Sequence, residues 1–433
     1  MIDLTILVCV GAFLLLCGVL AVPAIRFIEY RPEFLIAAVF AVFVASAAVG
    51  GDEVLSFAVG GLRLYPFDLL CPVLLGLSLP FLFFRLKYGF SRNDAALLLL
   101  LGWAALLGWN YLYGIREFGL QTATNGFRAY FYVICIAIFT ATLPSYRVWS
   151  VVEKATLFSA FILVAIALVG WSDGDLSRRG RPLASDEALI LIQAFAVGAV
   201  AFSRGRLRAG FFLGCLIFLP VLLVLQHRSV WVVALAVLAM LYFYLPALRG
   251  VMNTALIVGG IAFSVLVFGF FGESIFLALT ASYGEALSED STFVWRVLGW
   301  QSLLTGQHMD TVSEALTGNP FGSGWLRTFT GSDGVTVVTT EVMPHNYYVQ
   351  TLLRSGAIGL VFLLLLYWRL LRATIRESRR EGAGAVMAMA LAMILVSQLL
   401  YYIPYRADPI QAVFIGCAIG MLRDGGRRRA EEP

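Results

Sequence analysis

The stretch MPHNYYVQTLLRSGAIGLVFLLLLYW, residues 343–368, decides what kind of chain this is. From His345 to Trp368 it runs 24 residues with one permanent charge, Arg354. A helix of that length crosses the hydrocarbon of a bilayer, which takes about 20 apolar residues. Its beginning is unusual for such a segment: a titratable ring followed by an amide, after a proline and a long polar loop. Only two other histidines occur, His227 and His308. His345 is either an interfacial residue satisfying a helix end or a base held at the membrane surface.

Outward from this stretch, apolar runs recur along the whole chain. They lie near 4–25, 34–49, 67–84, 95–113, 128–143, 151–171, 187–203, 210–226, 229–246, 254–272, 345–368, 385–403 and 409–422. This is an all-α polytopic membrane pattern of about 12–13 spans. Composition agrees: the 433 residues have a mean hydropathy of +0.86, are 60% hydrophobic and only 13% charged, well outside the soluble range. The N-terminal MIDLTILVCV lacks the basic start of a cleavable signal, so the first run is expected to stay as a span. The net charge of +4 sits in short loops between spans, which is no nucleic-acid footprint. The cysteines, Cys9, Cys17, Cys71, Cys135, Cys215 and Cys417, all fall in apolar runs without a CxxC pair. They read as small packing residues rather than disulfides or metal ligands.

Arginines set the orientation. RLLRATIRESRRE (369–381) and RDGGRRRAEEP (423–433) are separated by two spans and share a side, the cytoplasmic one by the positive-inside rule. Counting back puts RLKYGFSRND (85–94), PSYRVWSVVEK (144–154) and SRGRLRAG (203–210) there too. The opposite, outer side receives the connections near 50–66, 114–127, 172–186, 226–229 and 404–408, and one long segment, 273–343. The chain thus divides into a helical region 1–272, an outer loop 273–343, and C-terminal spans with a basic tail, 344–433, within one integrated membrane domain.

The outer loop of about 70 residues is far longer than an ordinary connection. Inside it, STFVWRVLGWQSLL (291–304) has helical periodicity, with Phe293, Val297, Trp300 and Leu304 on one face and Ser291 or Thr292 placed to cap it. TGNPFGSGW (317–325) is a run of turn residues. Pro344 is expected in the first turn of the next helix, where its missing N–H costs nothing.

Three outer-face residues carry chemical potential. Arg228 sits in a connection so tight that its charge needs an anion or a route to water. Arg296 interrupts an otherwise apolar helix face, and His345 opens its span. Singly, each has an ordinary reading, as a snorkelling anchor, a headgroup contact or a helix cap. Together they lie on one side by a charge argument that did not use them.

Arg228-Ser229-Val230-Trp231, Arg296 through Trp300, Pro320 through Gly324, and His345 through Gly359 stand in an order that resembles the O-antigen ligase family, which also contains O-antigen and exopolysaccharide polymerases. The resemblance covers about residues 180–370; before that only the multi-span topology matches. Arg354 departs from it, standing where many relatives carry a glutamate. The resemblance implies glycan transfer from undecaprenyl pyrophosphate to an acceptor hydroxyl at the periplasmic face of the bacterial inner membrane. The acceptor would be a lipid-linked repeat unit for a polymerase, the reading preferred here, or a lipid A core sugar for a ligase.

The residue types fit that chemistry. A pyrophosphate leaving group needs its charge stabilised. The outer carboxylates are scattered, with no metal-ligand spacing, so no metal or other cofactor is expected. Two guanidiniums can take the role, each offering a planar fork of donors to phosphate oxygens. Neutral imidazole suits removal of the acceptor proton. Arg228 and Arg296 are therefore assigned to the pyrophosphate and His345 to the base, with Asn346, Tyr347 and Tyr348 as sugar contacts. Arg128, Arg181, Arg406 and Asp408 are lesser outer-face candidates. The rival class is a transporter or lipid flippase, which calls for charges at mid-membrane depth or repeated halves. The spans instead hold isolated glutamines, Gln193, Gln350 and Gln398, and no repeat is visible.

Overall fold

The computed structural model describes residues 30–51, 54–59, 62–172, 181–245, 249–250, 292–305, 310–330, 337–341, 343–380 and 382–431. The order begins with α1 (Phe34–Ala48), a small hairpin β1–β2 (Phe57–Val59, Leu62–Leu64), and four long helices, α2 (Pro66–Tyr88), α3 (Ala95–Phe118), α4 (Leu120–Thr142) and α5 (Ser145–Gly170). Then come α6 (Ser185–Ser203), two short helices α7 (Ala209–Cys215) and α8 (Phe218–Val224), and α9 (Arg228–Tyr244). α10 (Thr292–Thr305), α11 (Val312–Thr317) and a hairpin β3–β4 (Leu326–Thr330, Val337–Glu341) lead into α12 (Tyr347–Ser378), α13 (Ala383–Tyr401) and α14 (Pro409–Glu431).

Seven helices among the described residues are long and apolar enough to cross a membrane: α2 to α6, α12 and α13. Three apolar stretches are shorter, α1, α7–α8 and α9. The expected spans 4–25 and 254–272 lie outside the described residues. The run at 210–226 is broken rather than continuous. Pro220 has no N–H to reach the carbonyl of Leu216, and the chain turns between α7 and α8 at that point. α14 begins apolar but ends in the charged tail. The segment 273–343 contains a helix, α10, where periodicity predicts one, and it also contains the β3–β4 hairpin, paired from Leu326↔Glu341 to Thr330↔Val337, which the all-helical reading did not anticipate.

The bundle is closed by small residues and by polar ties. α14 packs on α4, where a side chain on Gly416 would press on Thr140 and the carbonyl of Ala137. Two of the glutamines that looked isolated in sequence, Gln193 and Gln398, form one buried network with Gln411. Gln193 donates to Ser397 Oγ (2.9 Å) and Gln411 Oε1 (2.8 Å), Gln398 to the carbonyl of Gln411 (3.1 Å), and the Tyr367 hydroxyl to Gln398 Oε1 (2.8 Å). It joins α6, α12, α13 and α14. Hydrogen bonds between apolar helices are worth about 0.6–2 kcal/mol each, and here they also fix rotational register. Cys71, Cys135, Cys215 and Cys417 are buried and free, as packing residues should be; Cys9 and Cys17 lie outside the described residues.

Charged contacts sort the connections to two ends. At one end Arg423 donates to the carbonyls of Ala141 and Leu143 (2.6 and 2.8 Å), and Asp424 accepts from the Ser145 N–H (2.8 Å). Arg85 faces Asp94 and Arg206 faces Glu153 there as well. At the other end Arg128 pairs with Asp68 (3.0 Å), donates to the carbonyl of Arg63 (2.8 Å) and lies over Tyr65. These partners make Arg128 an anchor of the β1–β2 hairpin.

Candidate functional site

The end of the bundle bearing Arg128 also holds His345, Arg296 and Arg228, each positioned by a different element. His345 is exposed and stands just outside α12. The helix starts at Tyr347, not in the turn of Pro344, because Asn346 caps it: the Asn346 Oδ1 accepts the Val349 N–H at 3.0 Å. Gln350 donates back to the carbonyl of Pro344, so both residues flanking His345 are pinned. The Tyr347 N–H in turn donates to the carbonyls of Tyr402 (2.9 Å) and Tyr405 (3.0 Å).

That same connection receives Arg296. From α10 its guanidinium reaches the Pro404 carbonyl (3.4 Å) and lies 5.7 Å from the centre of the Tyr405 ring. Residues 402–405 therefore hold the backbone beside His345 and the side chain of Arg296 together.

Arg228 joins through α6. It is the first residue of α9, and the turn before it is tight enough to force Gln226 to a φ of +55°, a conformation that strains a residue with a side chain. Arg181 donates to the Gln226 carbonyl (2.8 Å) and faces His227 Nδ1 at 3.5 Å, while His227 Nε2 lies 3.0 Å from the Leu183 carbonyl. A guanidinium beside Nδ1 makes that nitrogen the acceptor and leaves Nε2–H to donate. Two residues on from Leu183, the Ser185 hydroxyl meets the Tyr401 hydroxyl at 2.9 Å, at the start of the connection that holds Arg296. The three residues thus share one end and one scaffold, the 401–408 connection.

Asp408 closes this connection. Its carboxylate accepts the Ile410 N–H at 2.9 Å. Burial first, and the Asp186 carboxylate beside it second, raise its pKa well above the ordinary value. Arg406, also on the connection, is exposed and favours the ionised form of Asp408.

The three residues read from sequence as sugar contacts have other duties here. The Asn346 side chain is committed to the cap. Tyr347 is 4% exposed and packs against Trp103, Tyr130 and Tyr402. The Tyr348 hydroxyl donates to the carbonyl of Leu399 (2.7 Å). Two of the three side chains thus spend a polar group within the protein, and the third packs in an aromatic cluster.

Arg354 is the residue whose importance sequence reading left open. α12 is two helices merged across Gly356, which has φ +62° and ψ −172°. Against this break pack Leu316 to Gly318, and the turn NPFGSGW (319–325) follows along Leu353 and Arg354. Asn110 donates to the carbonyls of Thr317 (2.6 Å) and Arg354 (2.8 Å), and the Asn319 N–H to that of Leu353 (2.7 Å). Arg354, 3% exposed, donates to the carbonyls of Pro320 (2.7 Å) and Ser323 (2.6 Å) and to Ser323 Oγ (2.5 Å). The one clue in sequence was an arginine inside an apolar run, which is costly unless satisfied.

By fold the chain is a multi-span helical protein of the membrane type, with a polar connection system at one end. No protein-family model matches it, and no curated protein is significantly similar to it.

Proposed function

We propose that the chain is a glycosyltransferase of surface-polysaccharide assembly. It takes a glycan from undecaprenyl pyrophosphate and joins it to the hydroxyl of an acceptor sugar on another lipid-linked repeat unit, as a polymerase. The carrying observation is the 401–408 connection, which links Arg296, the base of His345 and, through Ser185 and Leu183, the turn before Arg228. The resemblance of the motifs bearing these residues to the O-antigen ligase family supplies the reaction class.

In this reading Arg228 and Arg296 bind the pyrophosphate oxygens. His345, exposed at the membrane surface, removes the proton from the acceptor hydroxyl as its oxygen attacks the anomeric carbon. The bond from that carbon to the pyrophosphate oxygen breaks, its electron pair leaves with undecaprenyl pyrophosphate, and the two guanidiniums, protonated at any working pH, neutralise the charge gained there. Direct attack inverts the anomeric configuration. The acceptor side is the periplasmic face of the inner membrane, by the arginine distribution.

The test uses the purified full-length chain and a synthetic undecaprenyl-pyrophosphate oligosaccharide. Wild type should lengthen the carrier-linked glycan and His345→Ala should not. A deletion strain should accumulate single repeat units on the carrier. Full-length polymer stranded on the carrier would instead mark a ligase, and unchanged carrier-linked glycans would reject glycosyl transfer altogether.

A further inference from the structure

At the opposite end of the bundle, away from the proposed site, a groove of about 660 Å³ opens between α1 and α5. Its walls are apolar, with Ala37 and Phe34 from α1 and Val151, Ala155 and Phe158 from α5. Phe34 and Phe158 are 47% and 68% exposed. Its mouth is basic: Arg147 and Lys154 stand two turns apart on the same side of α5, and Arg31 flanks them before α1. The one acidic lining residue, Glu33, is already paired with Arg31 at 3.5 Å. Among the described residues Arg147 bonds the neighbouring Tyr146 hydroxyl and lies over its ring, and neither Arg147 nor Lys154 has an ion pair. Both groove helices also turn their N-terminal ends toward the mouth, adding partial positive charge.

We propose that this groove binds an anionic glycerophospholipid of the surrounding leaflet. Its phosphate lies against Arg147 and Lys154, and one acyl chain runs along Phe34, Ala37, Val151 and Ala155. The argument is charge complementarity at a fixed depth. α5 is a 26-residue apolar helix, so its first turns, which carry Arg147, stand where a span meets the headgroups. A basic pocket between spans at that depth suits an anionic headgroup. The apolar walls then distinguish a lipid from a bare anion. The inference rests on the membrane character of the helices and is independent of the proposed glycosyl transfer.

The experiment measures binding of phosphatidylglycerol, cardiolipin and phosphatidylcholine to the full-length chain in detergent by native mass spectrometry, with melting temperature read in parallel. Wild type should prefer the anionic lipids at least tenfold and be stabilised by them. Arg147→Glu with Lys154→Glu should remove that preference while leaving the lipid-free melting temperature unchanged, since both side chains are exposed. Ala155→Trp, which fills the apolar wall and keeps every charge, should weaken phosphatidylglycerol binding about tenfold. Equal binding of phosphatidylcholine, or retention of the preference in the charge-reversed variant, would overturn the proposal. Displacement of the lipid by millimolar inorganic phosphate, or no effect of Ala155→Trp, would also overturn it by showing a bare anion site.

Discussion

Arg354 stacks over Trp325, its guanidinium carbon 4.0 Å from the ring centre, while its N–H groups close the turn at Pro320 and Ser323. A charge inside an apolar helix thus becomes the clamp that holds the turn at 319–325 against α12. Arg354→Ala should cost several kcal/mol, since each hydrogen bond to a charged group is worth about 1.5–3 kcal/mol and the buried carbonyls lose their donor. Arg354→Lys should recover little, because an ammonium cannot reach three acceptors and stack on an indole together. Thermal melting in detergent reads both; an alanine variant within 2 °C of wild type would deny the clamp.

The same junction demands glycine. Gly356 occupies a backbone region open almost only to glycine, and a Cβ there would overlap the backbone of Leu316 and Thr317. Gly318, at φ +83°, meets the backbone of Arg354 to Gly356 from the other side. Gly356→Ala should therefore lose about 1–3 kcal/mol from conformation alone, and more from overlap. Gly210→Ala, with open space around the added methyl, should melt like wild type. Equal melting of both variants would contradict the break.

How much of this was legible beforehand differs by kind of evidence. Apolar length announced α2 to α6, α12 and α13, because lipid-spanning helices need no partner to be recognised. Periodicity announced α10. The break at Gly356 was hidden because a glycine in an apolar run is silent until something packs against it, and here the partner lies some 40 residues earlier in the chain. Gln193 looked isolated for the same reason: its bonds to Ser397 and Gln411 join helices distant in sequence. The tyrosines after His345 show the reverse limit. Their type suits sugar binding, but Tyr347 is spent on an aromatic cluster with Tyr130 and Tyr402, which spacing cannot reveal.

Asp408 gives a pH prediction. Burial and Asp186 raise its pKa above that of an unfolded aspartic acid, so the folded state holds the proton more tightly. The protonated form is the stable one. Its contribution is complete below about pH 3.9 and is lost as pH rises from there through the raised value. Wild type should lose melting temperature across that range, by no more than the limiting slope of about 1.4 kcal/mol per pH unit for one proton. Asp408→Asn keeps an oxygen for the Ile410 N–H and should flatten the profile. Parallel profiles for the two proteins would show that the carboxyl pair does not govern it.

Sidedness can be checked without substrate. Val312, 78% exposed at the end that carries His345, should react as a cysteine with a membrane-impermeant maleimide applied to intact spheroplasts. A cysteine at Arg379, exposed at the other end of α12, should react only after lysis. The native Cys71, Cys135, Cys215 and Cys417 are buried; replacing Cys9 and Cys17 with serine removes the remaining background. The reverse labelling pattern would put the proposed site on the cytoplasmic side and remove its access to a periplasmic donor.

The last prediction separates the roles of the three site residues. If His345 is the base and the two arginines hold pyrophosphate, the variants must fail in different ways. His345→Ala should abolish transfer but bind the lipid-pyrophosphate donor nearly as wild type does. Arg228→Lys and Arg296→Lys should lose transfer together with donor affinity, by about 1.5–3 kcal/mol for each charged hydrogen bond lost, because one ammonium cannot replace a two-pronged contact. Excess EDTA should leave wild-type transfer intact if the guanidiniums carry the leaving charge. Arg296 adds a cross-check through its ties to Pro404 and Tyr405: Tyr405→Phe keeps the ring beneath the guanidinium and should retain donor binding, whereas Tyr405→Ala should weaken it. Near-normal transfer by His345→Ala would reduce that residue to an interfacial cap. Loss of donor binding in the same variant would instead move it to the pyrophosphate and leave the base to be sought among the other groups of the 401–408 connection, beginning with Asp408.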